Sequence, residues 1–217
     1  MKKITVKGIG KIHERPDCIT ISFSLRAHEM TYEAAMEVAT KQIASLRDAL
    51  VAIGFEPADL KTTDFNVSTD YKSVYIDNKR NTKDVFNGYI CEHDLKLVFD
   101  FDTVRMNATF RAIAGVPSHP KFTIRFSLKD HAAAELAMLK EAATNARQKA
   151  VVLCTAAGAA LGELLEINYS WSEIDFYSHT RYLAEDLKLS CLRTTEMDMQ
   201  PDDIDEQDTA TFVWEIK

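Results

Sequence analysis

From Ile19 to Ala27 every second residue is apolar: Ile19, Ile21, Phe23, Leu25 and Ala27 alternate with Thr20, Ser22, Ser24 and Arg26. A period of two with polar partners describes an extended strand with one face in a core. At Thr31 the period changes. Met36, Ala39, Ile43, Leu46, Leu50 and Ile53 step by three and four, which gathers them on one helical stripe. Thr31 suits the N-cap, and Glu33 and Glu37 suit the positive end of the dipole. Gly54 ends the helix with a left-handed residue, and Pro57 blocks its resumption. A half-buried strand leading into an amphipathic helix commits the chain to a sheet covered by helices.

The remaining periodicity extends that plan. Residues 3–9 predict a short first strand, followed by a turn from Gly10 to Pro16. Phe65, Val67, Thr69 and Tyr71 alternate with polar residues, and residues 88–101 form a long strand pairing antiparallel with the one before it. Between them, residues 72–87 hold two β-prone pieces around Asp77-Asn78, which predicts a protruding hairpin arm. A short helix spans 102–114, a strand carries Phe122, Ile124, Phe126 and Leu128, and an alanine-rich helix spans 131–160. Its Ala142, Ala146 and Ala150, at spacing four, let a helix approach its neighbour closely. Strand patterns return at 165–171 and 210–216, with an irregular acidic stretch over 172–208. The predicted order is ββαββαβαββ: an α+β chain, mainly antiparallel sheet with two long helices and one short helix packed on it. No shift of composition marks a boundary, so residues 1–217 read as a single domain.

The formal charge is −7, and residues 196–208 hold seven acids (Glu196, Asp198, Asp202, Asp203, Asp205, Glu206, Asp208) with no Lys or Arg. Those seven account for the whole excess. A balanced body offers no broad positive field for phosphates, which argues against nucleic acid as a partner. Cys18, Cys91, Cys154 and Cys191 are widely spaced and read as free thiols. That reading, together with the absence of an apolar run after Met1-Lys2-Lys3, predicts a cytoplasmic protein, or a periplasmic or exported one if a leader has been removed. The most apolar stretch, around 151–165, is too rich in small and polar residues to form an integral membrane span.

Certain residues, taken in order, resemble the SIMPL-domain (DUF541) family. They are Ile4-Thr5-Val6-Lys7-Gly8-Ile9-Gly10, then Arg15-Pro16-Asp17, a helix ending at Gly54, Lys61 through Val67, and Gly88-Tyr89. In the second half come Ala142, Ala146, Lys149-Ala150, Gly158 and Leu161-Gly162. The resemblance implies an α+β domain that self-associates, in members that are commonly exported and linked to stress tolerance. It supplies no catalytic residues. Physically, Gly8 and Gly10 suit a bend or a close backbone approach, and Pro16 sets the start of a strand.

Candidate chemistry is sparse. Gly8-Ile9-Gly10 lacks the third glycine and the following helix that a dinucleotide loop requires. Cys91 and His93 share one strand face and fit either a metal pair or a nucleophile with its base. A zinc ion needs a further ligand, for which the sequence offers unplaced candidates such as His13, His28 or His119. A reactive thiol needs an electropositive niche, whereas Glu92 and Asp94 flank this pair. A packed Cys and a hydrogen-bonded His is the plainer reading. The acidic run lacks the glycine of a calcium loop and contains Pro201. Lys72, Lys79, Arg80 and Lys83 on the arm, and Arg181-Tyr182, suit an anionic partner. The expectation is a non-enzymatic, self-associating module, possessing no catalytic, cofactor or metal residues and requiring no cofactor, that works through homo-oligomer assembly and protein contact. The alternatives are a Cys91/His93 hydrolase or metal-dependent enzyme, and a small-ligand carrier.

Overall fold

The computed structural model describes residues 2–77, 81–170, 174–183 and 199–217. In chain order the elements are β1 (Lys3–Glu14), β2 (Cys18–Glu29), α1 (Tyr32–Val51), β3 (Lys61–Asp77) and β4 (Asn81–Asp100). There follow α2 (Thr103–Gly115), β5 (Lys121–Ser127), α3 (His131–Ala156), β6 (Leu161–Asn168), β7 (Tyr177–Leu183) and β8 (Ile204–Ile216). The strands form two antiparallel sheets, ordered β1-β8-β6 and β3-β4-β2-β5-β7. The α+β class therefore holds, with one strand more than the periodicity predicts.

The chain forms two compact units. One is built mainly of β2, α1, β3, β4, α2 and β5. Its β-α-β-β-α-β run gives the order β3-β4-β2-β5, so each helical crossover skips one strand, the split βαβ arrangement. The side chain of Thr31 accepts from the Ala34 amide at 3.3 Å, and Asp102 accepts from the amides of Val104 and Arg105, capping α1 and α2. Gly54 has φ +94°, the left-handed geometry that ends the first helix. Ile19, Ile21, Phe23, Leu25 and Ala27 are all buried, as their alternation requires.

The other unit contains β1, α3, β6 and β8. Helix α3 buries Ala134, Met138, Ala142, Ala146, Ala150 and Cys154, a stripe at strict spacing four. Such a stripe drifts by about 40° per step, which suits a helix laid across a twisted sheet. Val6, Ala210, Phe212 and Trp214 meet Ala146 and Ala150, while Ile12, Leu128, Phe176 and Ile204 meet Ala134 and Met138. Gly8 and Gly10 lie directly under the helix backbone. A methyl carbon at either would collide with the carbonyl of Ala142 or of Met138.

Three predicted features change. Gly10 does not open a turn: β1 runs to Glu14, pairing Gly10 with Asp208 and Glu14 with Ile204. The glycine serves the helix crossing, not a bend. The long helix stops at Ala156, with Gly158 at φ +72° behind it. Within the segment read as irregular, β7 forms and β8 begins at Ile204, so Asp205, Glu206 and Asp208 are strand residues. Polar bonds support this region: Ser178 Oγ donates to the Asp202 carbonyl at 2.7 Å, and the Asp202 amide donates to Thr180 Oγ1 at 3.0 Å. Hydrophobic periodicity carries no trace of such a strand. Glu196, Asp198, Trp171 and Cys191 lie outside the described residues.

Candidate functional site

The β3–β4 ladder continues past the body of its sheet to Asp77↔Asn81, so the predicted arm is a hairpin. At its root the register shifts between Asp70 and Tyr71, leaving Asn87 as the extra residue. Asn87 Nδ2 donates to Asp70 Oδ2 at 2.5 Å, and His28 Nε2 lies 3.3 Å from the same oxygen. Gly88 takes φ +121° there, packed so closely on the Glu29 carbonyl that a side chain has no room. Beyond the root, Tyr71, Val74, Tyr75, Val85 and Phe86 are exposed, Tyr75 by 68%.

A row of rings runs along the base of this arm. Tyr71 meets Phe86 at 5.9 Å, Phe86 meets Tyr89 at 5.3 Å, and Tyr89 meets Tyr32 of α1 at 6.0 Å, all edge-to-face. Lys72 and Lys83 are exposed beside it and have no ion pair among the described residues. Lys79 and Arg80 lie outside the described residues. The arm is legible in the sequence; the row is not. Its signal was the aromatic residues at 71, 75, 86 and 89 in an otherwise polar stretch; Tyr32 joins only through the fold.

Cys91 and His93 do share the inward face of β4. Cys91 is buried against Ala27 and Ala39 of its own unit, and burial pushes its thiol pKa up, away from the thiolate. His93 Nε2 lies 2.7 Å from Thr62 Oγ1, and its ring meets Phe65 edge-on at 5.0 Å. Burial pulls its pKa below the usual histidine value, with Asp94 opposing and Arg47 assisting. His93 Nδ1 is buried with no hydrogen-bond partner among the described residues. A thiol held neutral beside an imidazole held neutral is the reverse of an activated pair.

The other histidines named as possible ligands lie elsewhere. His13 on β1 faces Asp205 at 2.5 Å and Asp203 at 3.2 Å, and the hydrogen bond with Asp205 holds its pKa above the ordinary value. His28 serves the arm root. His119 sits in the turn after α2 with φ 45°, its amide bonded to the Val116 carbonyl. Among the described residues no group of three His, Cys, Asp or Glu side chains is arranged to hold a metal ion. Arg181 is an exposed residue of β7.

Compared with known proteins, the chain matches the family model SIMPL, described as a protein of unknown function (DUF541), over residues 4–214. The chain belongs to the SIMPL family. This SIMPL protein is also 28% identical over 169 residues to the 26 kDa periplasmic immunogenic proteins of Brucella melitensis and of Brucella abortus. Each alignment covers 76% of this chain and 66% of the relative, so the chain spans a little under two thirds of the curated relatives it matches. The family match takes in both units of the SIMPL protein, from the β1 glycines to Trp214, and includes the arm. No helix among the described residues is long and apolar enough to cross a membrane.

Proposed function

We propose that this SIMPL protein is a non-enzymatic, self-associating module whose arm is its contact element. The observation that carries the reading is the exposed hairpin: five apolar or aromatic side chains, and two lysines with no ion pair among the described residues, on a ribbon that adds little to its own unit's core. Exposed aromatic clusters of this kind anchor protein contacts, because large rings bury much area at small entropic cost. Charge complementarity favours a second copy as the partner. Lys72 and Lys83 suit the acidic border of β8, where Asp203, Asp205 and Glu206 stand. An arm of one copy on the β8 border of the next is a heterologous contact, which closes into a ring when the rotation allows.

We infer a periplasmic address, on the strength of the names of the Brucella relatives, in place of the cytoplasmic one. Cys18, Cys91 and Cys154 are buried, and buried thiols have little exposure to oxidants, so they do not oppose that address. A part in stress tolerance rests on family resemblance alone. The Cys91/His93 enzyme alternative finds no support in the buried, mutually neutral pair. Light scattering on the full chain tests the main reading: a mass that is a multiple of 24.5 kDa at micromolar concentration is expected, falling to one copy when residues 73–86 are replaced by a tight turn. A single-copy mass before and after the deletion overturns it.

A further inference from the structure

The sheet β1-β8-β6 has two edges, and α3 treats them differently. Along β1, Lys11 N donates to Glu141 Oε2 at 2.6 Å, Ile9 N donates to Asn145 Oδ1 at 3.2 Å, and Lys149 Nζ donates to the Lys7 carbonyl at 3.3 Å. Side chains at spacing four thus cover that edge. The β6 side is open. There Ala143 and Val151 of α3, Leu161, Leu164 and Ile167 of β6, and the stacked rings of Phe212 and Trp214 line a groove of about 540 Å³. Arg147 stands at its margin. Arg147 and Val151 also border an adjoining hollow of about 480 Å³ with Thr144, Gln148 and Val152, so apolar walls lead to a polar, cationic end. Arg147 has no ion pair among the described residues, an arrangement of apolar lining with one orienting charge that typifies small-ligand sites.

We propose that this groove binds a free long-chain carboxylate, its acyl tail against Leu164, Ile167, Phe212 and Trp214 and its carboxylate at Arg147. The groove is too apolar to be a solvated surface by design: Val151, Leu164 and Ile167 stay between 45% and 56% exposed with no other element over them in their own unit. The charge selects an anion, since the one ionised side chain lining it is cationic. A strand from a second copy is the competing occupant, and β6 discourages it. That strand has eight residues, two register shifts and the glutamates Glu163 and Glu166, devices that blunt an edge against pairing. Neither glutamate lines the groove.

Dodecanoate, added below its micellar concentration to the full chain, is the probe. Calorimetry is expected to give saturable binding of one molecule per copy. Emission from Trp214, isolated by Trp171→Phe, should shift over the same concentrations. Arg147→Gln should weaken dodecanoate by roughly fivefold, the scale of a rim ion pair, and leave neutral dodecanol unchanged. Ile167→Asp should weaken both by tenfold or more; because Ile167 is exposed, that variant is expected to fold, as circular dichroism would verify. No saturable heat with the unmodified chain overturns the proposal, as does binding indifferent to Ile167→Asp. A drop in solution mass on Ile167→Asp without dodecanoate binding also overturns it, assigning the groove to a second copy. The arm deletion leaves this test untouched, so the two readings fail separately.

Discussion

Gly10 of β1 lies against the backbone carbonyl of Met138 in α3, with no space for a β-carbon between them. Gly8 stands in the same relation to Ala142 one helical turn further on. Overpacking in a core costs roughly 1–3 kcal/mol, and here the obstacle is backbone, which cannot rotate away. Gly10→Ala and Gly8→Ala should each lower stability by about 3 kcal/mol in urea unfolding. Gly115→Ala, at the end of α2 with open space around it, should change stability by no more than about 1 kcal/mol and in the stabilising direction. Equal losses at all three sites would contradict the crossing described above.

The edge of β1 depends on side chains from one helix. Glu141→Ala frees the Lys11 amide and Asn145→Ala frees the Ile9 amide, each costing about 1 kcal/mol as the lost bond is exchanged for water. The double variant should also aggregate faster near its melting temperature, because it uncovers a pairing edge. Turbidity during a thermal ramp measures this; unchanged turbidity would separate edge covering from solubility.

Thiol accessibility follows from burial. In Cys191→Ala, the three remaining cysteines are all buried, so a disulfide reagent should label none of them in the native protein over minutes. All three should react in guanidinium. Rapid native labelling of Cys91 would reopen the nucleophile reading.

Two histidines bend the pH profile in opposite senses. The pKa of His13 is raised in the folded state, so its contribution is complete below the ordinary value of 6.5 and fades as pH rises through the raised one. The pKa of His93 is lowered, so its folded form is favoured above 6.5 and penalised as pH falls from there towards the lowered value. Urea midpoints from pH 5 to 9 should therefore lose part of their alkaline decline in His13→Gln and part of their acid decline in His93→Gln. The His13 effect is the smaller one, since the pair is solvent-exposed. Identical profiles for all three proteins would remove both assignments.

Most strands and all three helices were legible because each is amphipathic with its own period. Thr31, Gly54 and the alternation from Ile19 to Ala27 needed no tertiary information. Strand β7 was not legible, since hydroxyl and backbone bonds around Ser178, Thr180 and Asp202 sustain it without an apolar face. The β1 extension was hidden for a related reason: Gly10 has one sequence signature for a turn and for a close crossing. The row of rings escaped because Tyr32 and Tyr89 are far apart in sequence and meet only when α1 lies on β4. The groove escaped likewise, its walls coming from α3, β6 and β8.

By itself the chain of residues determined most of its elements, their kinds, the hairpin and the family, because local periodicity, capping and turn chemistry act over a few neighbours. Tertiary structure alone decided that two glycines serve a helix crossing, that one sheet edge is covered while the other stays open, and that Cys91 and His93 are both held neutral. Those outcomes depend on which distant surfaces exclude water from each other, and exclusion of water is a property of packed pairs that no single segment carries.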